Sequence, residues 1–275
     1  MAEKKAKSKN IFILGIGSDI GLALAGYYLA QGHNVFGTYR SSGSIKSIAF
    51  VQNIKLFKCD LTDKSEIRRC VIKYKALKKP WDIFISCVGT MEPIGNFFKV
   101  NFDEWEKSLI VNSSSQLRFL HELYPYRRKK SLNHAVFFAG GGTNNPFTNY
   151  SAYCASKILL IKMCELLDDE NENLNAFILG PGWVRTKIHE QTLQSGLAGV
   201  NYKRTREFLE SDIPGTDYRD IFGCINWCID NGRQVAGGRN FSVVHDLWKK
   251  KGKFLAQQLR ADPDKFKLRR FKNSS

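Results

Sequence analysis

The sequence predicts an α/β protein built on a doubly wound parallel sheet. Three observations carry the prediction. A strand-forming run at residues 10–14 leads straight into a glycine-containing turn, Gly15 to Gly21, and then into a helical stretch at 22–31. Strand-like and helix-like segments go on alternating, which is the order that generates a parallel sheet with helices on both faces. A length of 275 residues with 43% hydrophobic content suffices for one sizeable core, within the range of a single α/β domain.

The elements follow in order. Asn10-Ile11-Phe12-Ile13-Leu14 is short, apolar and rich in strand formers, as a buried first strand requires. Residues 33–39, 54–58, 81–87 and 135–139 are the next strand candidates, and 239–244 reads as the last. Helical stretches at 64–77, 102–128 and 217–230 separate them. Residues 183–216 read as a long loop above the site, the place for a substrate lid. Residues 1–9 form a basic tail, 10–244 a single nucleotide-binding domain, and 245–275 a basic extension with a helical stretch ending at Phe266-Lys267-Leu268-Arg269-Arg270.

Composition excludes several function classes. No run approaches the eighteen or so apolar residues of a membrane span, and the start, Met1-Ala2-Glu3-Lys4-Lys5, is too polar for a secretory signal. Seven cysteines without a Cys-x-x-Cys pair, or a histidine grouping of zinc type, fit reduced thiols in a cytoplasmic protein that holds no metal. The net charge of +16 raises nucleic acid as a partner, yet the two ends supply eleven of the sixteen charges. Solubilising ends are the preferred reading of that distribution.

The glycine turn has a physical rationale. Glycines let the backbone approach a pyrophosphate, whose charge is met by the open amides and positive dipole end of the following helix. Gly15, Gly17, Ser18, Asp19, Ile20 and Gly21 are the candidates for that contact. The second strand ends in Thr38-Tyr39-Arg40-Ser41-Ser42, where an NAD site would place an acid on the ribose. Arg40 and Ser41 instead offer donors suited to the additional phosphate of NADP, so NADP(H) is favoured over NAD(H). Tyr153 and Lys157 lie four residues apart, on one face of a helix. An ammonium beside a phenol favours phenolate and so lowers a pKa that is ordinarily about 10.

With these pieces in order, the chain resembles the short-chain dehydrogenase/reductase family from about Asn10 to Phe241. The glycine turn matches the family's Thr-Gly-x-x-x-Gly-x-Gly at Gly15 and Gly21, with Leu14 in place of the threonine and Asp19 in place of the middle glycine. Cys59-Asp60-Leu61 matches the acidic element after the third strand, which implies that Asp60, with Leu61 beside it, contacts adenine. Ser86-Cys87-Val88-Gly89 stands for Asn-Asn-Ala-Gly, and Gly89 keeps the close backbone approach. Asn112 falls at the asparagine of the family's proton relay. Pro181-Gly182-Trp183-Val184-Arg185-Thr186 resembles the segment that holds the nicotinamide carboxamide.

The resemblance implies a Rossmann-type fold, a homodimer or homotetramer, and hydride transfer to or from the carbonyl or alcohol group of a small-molecule substrate. Tyr153 exchanges the proton in this scheme, Lys157 lowers its pKa and binds ribose hydroxyls, and Asn112 links the lysine to solvent through water. The family's substrate-orienting serine is missing, since counting back thirteen residues from Tyr153 reaches Gly140 in Phe138-Ala139-Gly140-Gly141-Gly142-Thr143-Asn144-Asn145. Thr143 from a shifted loop, Asn144 or the glycine amides are alternative donors. The third alternative is a nucleotide-binding regulatory or structural module with impaired turnover. Arg185, Lys187, Lys203, Arg204 and Arg206 could receive an anionic substrate, although nearby acids make a mixed solvated surface the preferred reading. The C-terminal end looks like that of members associated with cell-surface glycan pathways, which points to a sugar or sugar-nucleotide substrate.

Overall fold

The computed structural model describes residues 8–46 and 53–270. Residues 1–7 of the expected N-terminal tail and 271–275 of the C-terminal extension lie outside these. Seven parallel strands form one sheet: β1 (Asn10–Leu14), β2 (Asn34–Tyr39), β3 (Ile54–Lys58), β4 (Ile83–Ser86), β5 (Asn133–Phe138), β6 (Leu174–Gly180) and β7 (Asn240–Ser242). Their order is β3-β2-β1-β4-β5-β6-β7, so the winding reverses between β1 and β4. The crevice beyond the carboxyl ends of these two strands is where such a sheet places its ligand.

Side-chain alternation along the strands builds two cores. Ile11, Ile13, Val136, Phe177 and Leu179 face one layer, while Phe12, Leu14, Phe137, Ala176 and Ile178 face the other. The first layer is covered by α1 (Asp19–Ala30), α8 (Tyr218–Asn231) and α10 (Gly252–Ala261), with the one-turn α9 (Arg233–Ala236) beside them. On the second face lie α2 (Lys64–Ala76), α4 (Ser115–Leu123) and α5 (Ser151–Glu170), and α3 (Phe102–Leu109) packs against α5. All five residues of β1 are buried, which is why it reads as a continuous apolar run rather than an alternating one.

Four expectations need correction. The strand expected at 81–87 is only Ile83–Ser86, because Trp81 leaves the ladder for an isolated bridge with Arg127 and donates its indole N–H to the Leu123 carbonyl at 3.0 Å. The helix expected at 102–128 is broken by a π-turn at Ile110–Ser114. There the Gln116 amide nitrogen donates to the carbonyls of Val111 (3.2 Å) and Asn112 (2.7 Å), while the Ser113 hydroxyl donates to the Leu109 carbonyl (2.5 Å). Side chains thus satisfy carbonyls that the widened turn leaves open. The loop expected at 183–216 contains two helices, α6 (Ile188–Gln194) and α7 (Val200–Glu210).

The C-terminal segment is the fourth. Its helix ends at Ala261 and residues 262–270 are not helical. Leu255, Ala256 and Leu259 enter the first core. Buried Arg239 donates to the carbonyls of Val235, Leu259, Asp262 and Lys265 at 2.6–3.0 Å, tying the segment to the sheet edge.

Candidate active site

The turn after β1 is held by main-chain geometry. Gly15 adopts φ +74°, a conformation that disfavours a side chain. Its N–H donates to the Thr38 hydroxyl at 3.0 Å, and a Cβ on Gly21 would meet Gly15 O at 2.7 Å. Ser18 caps α1 through its hydroxyl, which accepts from Gly21 N at 3.1 Å, so the helix starts at Asp19, three residues before the expected 22. Beyond the turn opens a cleft of about 1190 Å³. The turn and cleft fit a dinucleotide, with one departure. Asp19 places a carboxylate in the first helical turn, where it accepts from Lys187 N at 2.7 Å and pairs with Lys187 Nζ at 3.6 Å.

Most expected site residues reach this cleft. Ser18, Asp19, Ile20, Arg40, Gly89, Thr143, Tyr153, Lys157, Pro181, Gly182, Val184 and Thr186 line it. Gly15, Gly17 and Gly21 build the turn behind the wall, and Ser44 packs so closely on Gly17 that a Cβ there would lie 2.2 Å from its hydroxyl. Ser41, Asp60 and Leu61 are not on the wall. The Asp60 carboxylate accepts from the Thr62 N–H and hydroxyl at 2.9 and 2.8 Å, and Leu61 is part of the second core.

Helix α5 carries Tyr153 and Lys157 side by side, with the lysine Nζ 5.4 Å from the centre of the phenol ring. Both are nearly closed off, at 6% and 3% exposure. Burial, with a smaller contribution from the Cys154 thiol, pushes the Tyr153 phenol up. Burial also pushes the Lys157 ammonium down to about 8, opposed by the Cys87 thiol. The phenol is therefore raised rather than lowered as expected from the neighbouring ammonium, with burial the main cause. Asn112 sits behind Gly89; its Oδ1 and Lys157 Nζ are each 3.9 Å from a Cβ built on that glycine. Asn112 clamps the backbone of Thr90, accepting from its N–H and donating to its carbonyl, both at 2.8 Å.

Gly140 gives the missing hydroxyl a structural counterpart. A Cβ on Gly140 would stand 1.9 Å from Tyr153 Oη and 2.5 Å from Cζ. The phenol thus occupies the space a side chain at 140 needs. Thr143 lines the cleft, but no hydrogen bond joins it to Tyr153 among the described residues. Gly140→Ala is expected to destabilise the protein by about 1–3 kcal/mol through overpacking. Urea unfolding checks this, and an unchanged midpoint would mean that the phenol swings away without cost.

Several wall residues carry no local sequence signal. Gln191 accepts from Met91 N at 2.7 Å and donates to the Thr90 hydroxyl at 3.1 Å, and the Tyr150 hydroxyl donates to Thr192 at 2.9 Å. His189 bonds Val184 O at 2.8 Å and stacks on Trp183, 5.5 Å between ring centres. Apart from the two local histidine contacts, these span 42 to 101 residues, so only the fold reveals them.

A doubly wound parallel sheet, with a glycine turn and a tyrosine–lysine helix facing the crevice, defines a Rossmann-type α/β protein. A family model described as short chain dehydrogenase matches residues 9–195, and the chain belongs to that family of oxidoreductases, which bind a nicotinamide cofactor. An uncharacterized oxidoreductase of Saccharomyces cerevisiae, YIR035C, is 24% identical over 227 residues, covering 78% of this chain and 89% of the relative. Its crystal structure superposes with a TM-score of 0.78 at 20% identity, over 88% of this chain and 98% of that one. The 3-oxoacyl-[acyl-carrier-protein] reductase MabA of Mycobacterium tuberculosis is 24% identical, with 72% of this chain and 79% of the relative covered. A short chain dehydrogenase of Shigella flexneri, solved with NADP, has a TM-score of 0.73 at 19% identity, covering 88% of this chain and 99% of that one. No described helix is long and apolar enough to cross a membrane.

Proposed function

We propose that this chain is an NADP(H)-dependent oxidoreductase that interconverts a carbonyl and an alcohol at Tyr153. The observation that carries the reading is the burial of Tyr153 and Lys157 together on α5, opening onto the cleft beside Gly89. A bound nicotinamide supplies or receives the hydride. The chain's own residues handle the proton. With its phenol pushed up by burial, Tyr153 is protonated at neutral pH and suited to donating to the oxygen of a carbonyl as it is reduced. Lys157, pushed down to about 8, releases and regains a proton near working pH, which suits it to resupplying the phenol. Asn112 fixes the Thr90 backbone and thereby the Gly89 wall of the site.

NADP rather than NAD is supported by Arg40, which is exposed on the cleft wall just after β2 and makes no ion pair among the described residues. Arg40→Ala is expected to raise the Kd for NADPH by about tenfold and to leave that for NADH within about twofold, since a charge-assisted phosphate contact is lost. Calorimetric titration of both cofactors, followed by consumption of NADPH with a panel of ketones and aldehydes, tests the reading. Equal affinities for the two cofactors in the wild type would sink the NADP assignment.

The alternative, a nucleotide-binding module with impaired turnover, is favoured by one observation: the Tyr153 phenol fills the place next to Gly140 where an orienting hydroxyl would stand. NADPH binding without Tyr153-dependent consumption across the panel would select it. A sugar or sugar-nucleotide falls within the main reading, since polar His245, Asp246 and Lys267 of the C-terminal segment are among the residues that line the cleft. The free state of all seven cysteines accords with a reducing compartment. Exposed Phe97, Phe98 and Phe102, clustered with Trp105, form an apolar patch that supports self-association.

A further inference from the structure

The segment over the cleft carries five cationic side chains, and the structure assigns partners to four. The Arg185 guanidinium donates to the carbonyls of Phe208, Leu209, Ser211 and Ile213, closing the end of α7. Lys187 pairs with Asp19 at 3.6 Å, Lys203 with Glu207 at 3.7 Å and Arg206 with Glu210 at 2.7 Å. Arg204 has neither an ion pair nor a hydrogen bond among the described residues, and it lies exposed on the cleft wall.

Its placement follows from the helix. Asn201, Arg204 and Thr205, spaced i, i+3 and i+4, all line the cleft. Asn201 and Thr205 are buried, and the Asn201 amide donates to Thr148 O at 3.1 Å, which anchors this face against the loop after Gly142. Lys203 and Arg206 are absent from that wall and answer acids on their own helix. The carboxylates on the wall are already engaged: Asp19 holds Lys187, and Asp246 accepts from Ser242 N at 2.7 Å. The wall thus presents a guanidinium with nothing of opposite charge to answer it. Met91, Phe147, Trp183 and Ile188 supply the apolar part of the same cleft.

We infer that Arg204 receives the carboxylate or phosphate group of an anionic carbonyl substrate. The inference rests on the reductase reading above and narrows its substrate class. A guanidinium offers parallel donors to two oxygens of either group. Arg40, at the end of β2, is the separate candidate for the cofactor's own phosphate.

Two matched pairs of probes test it: benzoylformate against its methyl ester, and dihydroxyacetone phosphate against dihydroxyacetone. At low salt the wild type is expected to favour the charged member of at least one pair by about tenfold in kcat/KM, the size of one charge-assisted contact. Which pair responds tells carboxylate from phosphate. In Arg204→Gln the preference should shrink to within about twofold, with the loss in KM for the charged probe and NADPH affinity maintained, while Arg204→Lys recovers part of it. A wild type indifferent to charge in both pairs, or a preference that survives in Arg204→Gln, overturns the inference. If the wild type binds NADPH but turns over none of the four probes, the reductase reading fails for these ketones. Calorimetric binding of the charged and neutral probes to the NADPH complex then decides Arg204 by the same comparison.

Discussion

Tyr153→Phe is expected to lower kcat for carbonyl reduction by about a thousandfold while NADPH binds within about threefold of wild type, because proton transfer from a positioned acid contributes roughly 10²–10⁴. The substitution removes one oxygen and no packing volume of consequence. That oxygen makes no hydrogen bond to the rest of the described protein, and the ring stays among Ile94, Tyr150 and Ala198. Folding should therefore survive, so lost turnover would report chemistry rather than structure. The pH dependence separates this from a positional effect. With the phenol pushed up by burial, the wild type keeps its donor protonated well beyond neutral pH, and no loss of reduction from Tyr153 itself is expected below about 10, the ordinary value of a phenol. A fall near pH 8 would instead follow Lys157 losing its charge. Stopped-flow reduction from pH 6 to 10 checks both, and unchanged turnover in Tyr153→Phe would sink the assignment of the proton donor.

The fold was legible because local patterns decide it. A strand followed by a glycine turn and a capped helix is written within residues 10–21, and strands such as β1, buried on both faces, read as continuous apolar runs that imply a core layer on either side. Helix 102–128 misled because its periodicity is sound. What interrupts it is the π-turn at Ile110–Ser114, where the Gln116 amide nitrogen donates to Asn112 O, an arrangement that residue type does not announce. The segment at 183–216 misled for the opposite reason. Its helices are short and depend on contacts such as Arg185 to the end of α7, formed 23 to 28 residues away. At the site, spacing indicated that Tyr153 and Lys157 share a face. It could not show that the phenol fills the space above Gly140, or that Asp19 is linked to Lys187 across 168 residues, because both depend on tertiary approach.

Lys157→Met is expected to abolish most turnover and at the same time to stabilise the fold. The lysine is 3% exposed, has no hydrogen bond among the described residues, and has its pKa pushed down from 10.5 to about 8 by burial. Such a shift means that the folded state holds the charged form less readily than the unfolded chain does. Below pH 8 both states are protonated, and the folded protein bears the full cost of the buried charge, about 3 kcal/mol. As the pH rises from about 8 to 10.5 the folded state releases the proton first, so the unfolded state binds more protons and stability increases with pH. Methionine has similar length and no charge to desolvate. The variant should therefore gain roughly 2–3 kcal/mol at pH 7 and lose the rising slope above pH 8, so that the two proteins converge toward pH 10. Guanidinium unfolding at pH 7 and pH 10 measures this, and taking the difference between variant and wild type cancels the other titrating groups. Turnover should fall by about a hundredfold or more, since the charge beside the phenol is gone. A variant less stable than wild type at pH 7 would mean that Lys157 is held by favourable contacts and that its burial carries no such cost. The opposite outcome makes the buried ammonium a cost that the fold retains for the proton chemistry at Tyr153.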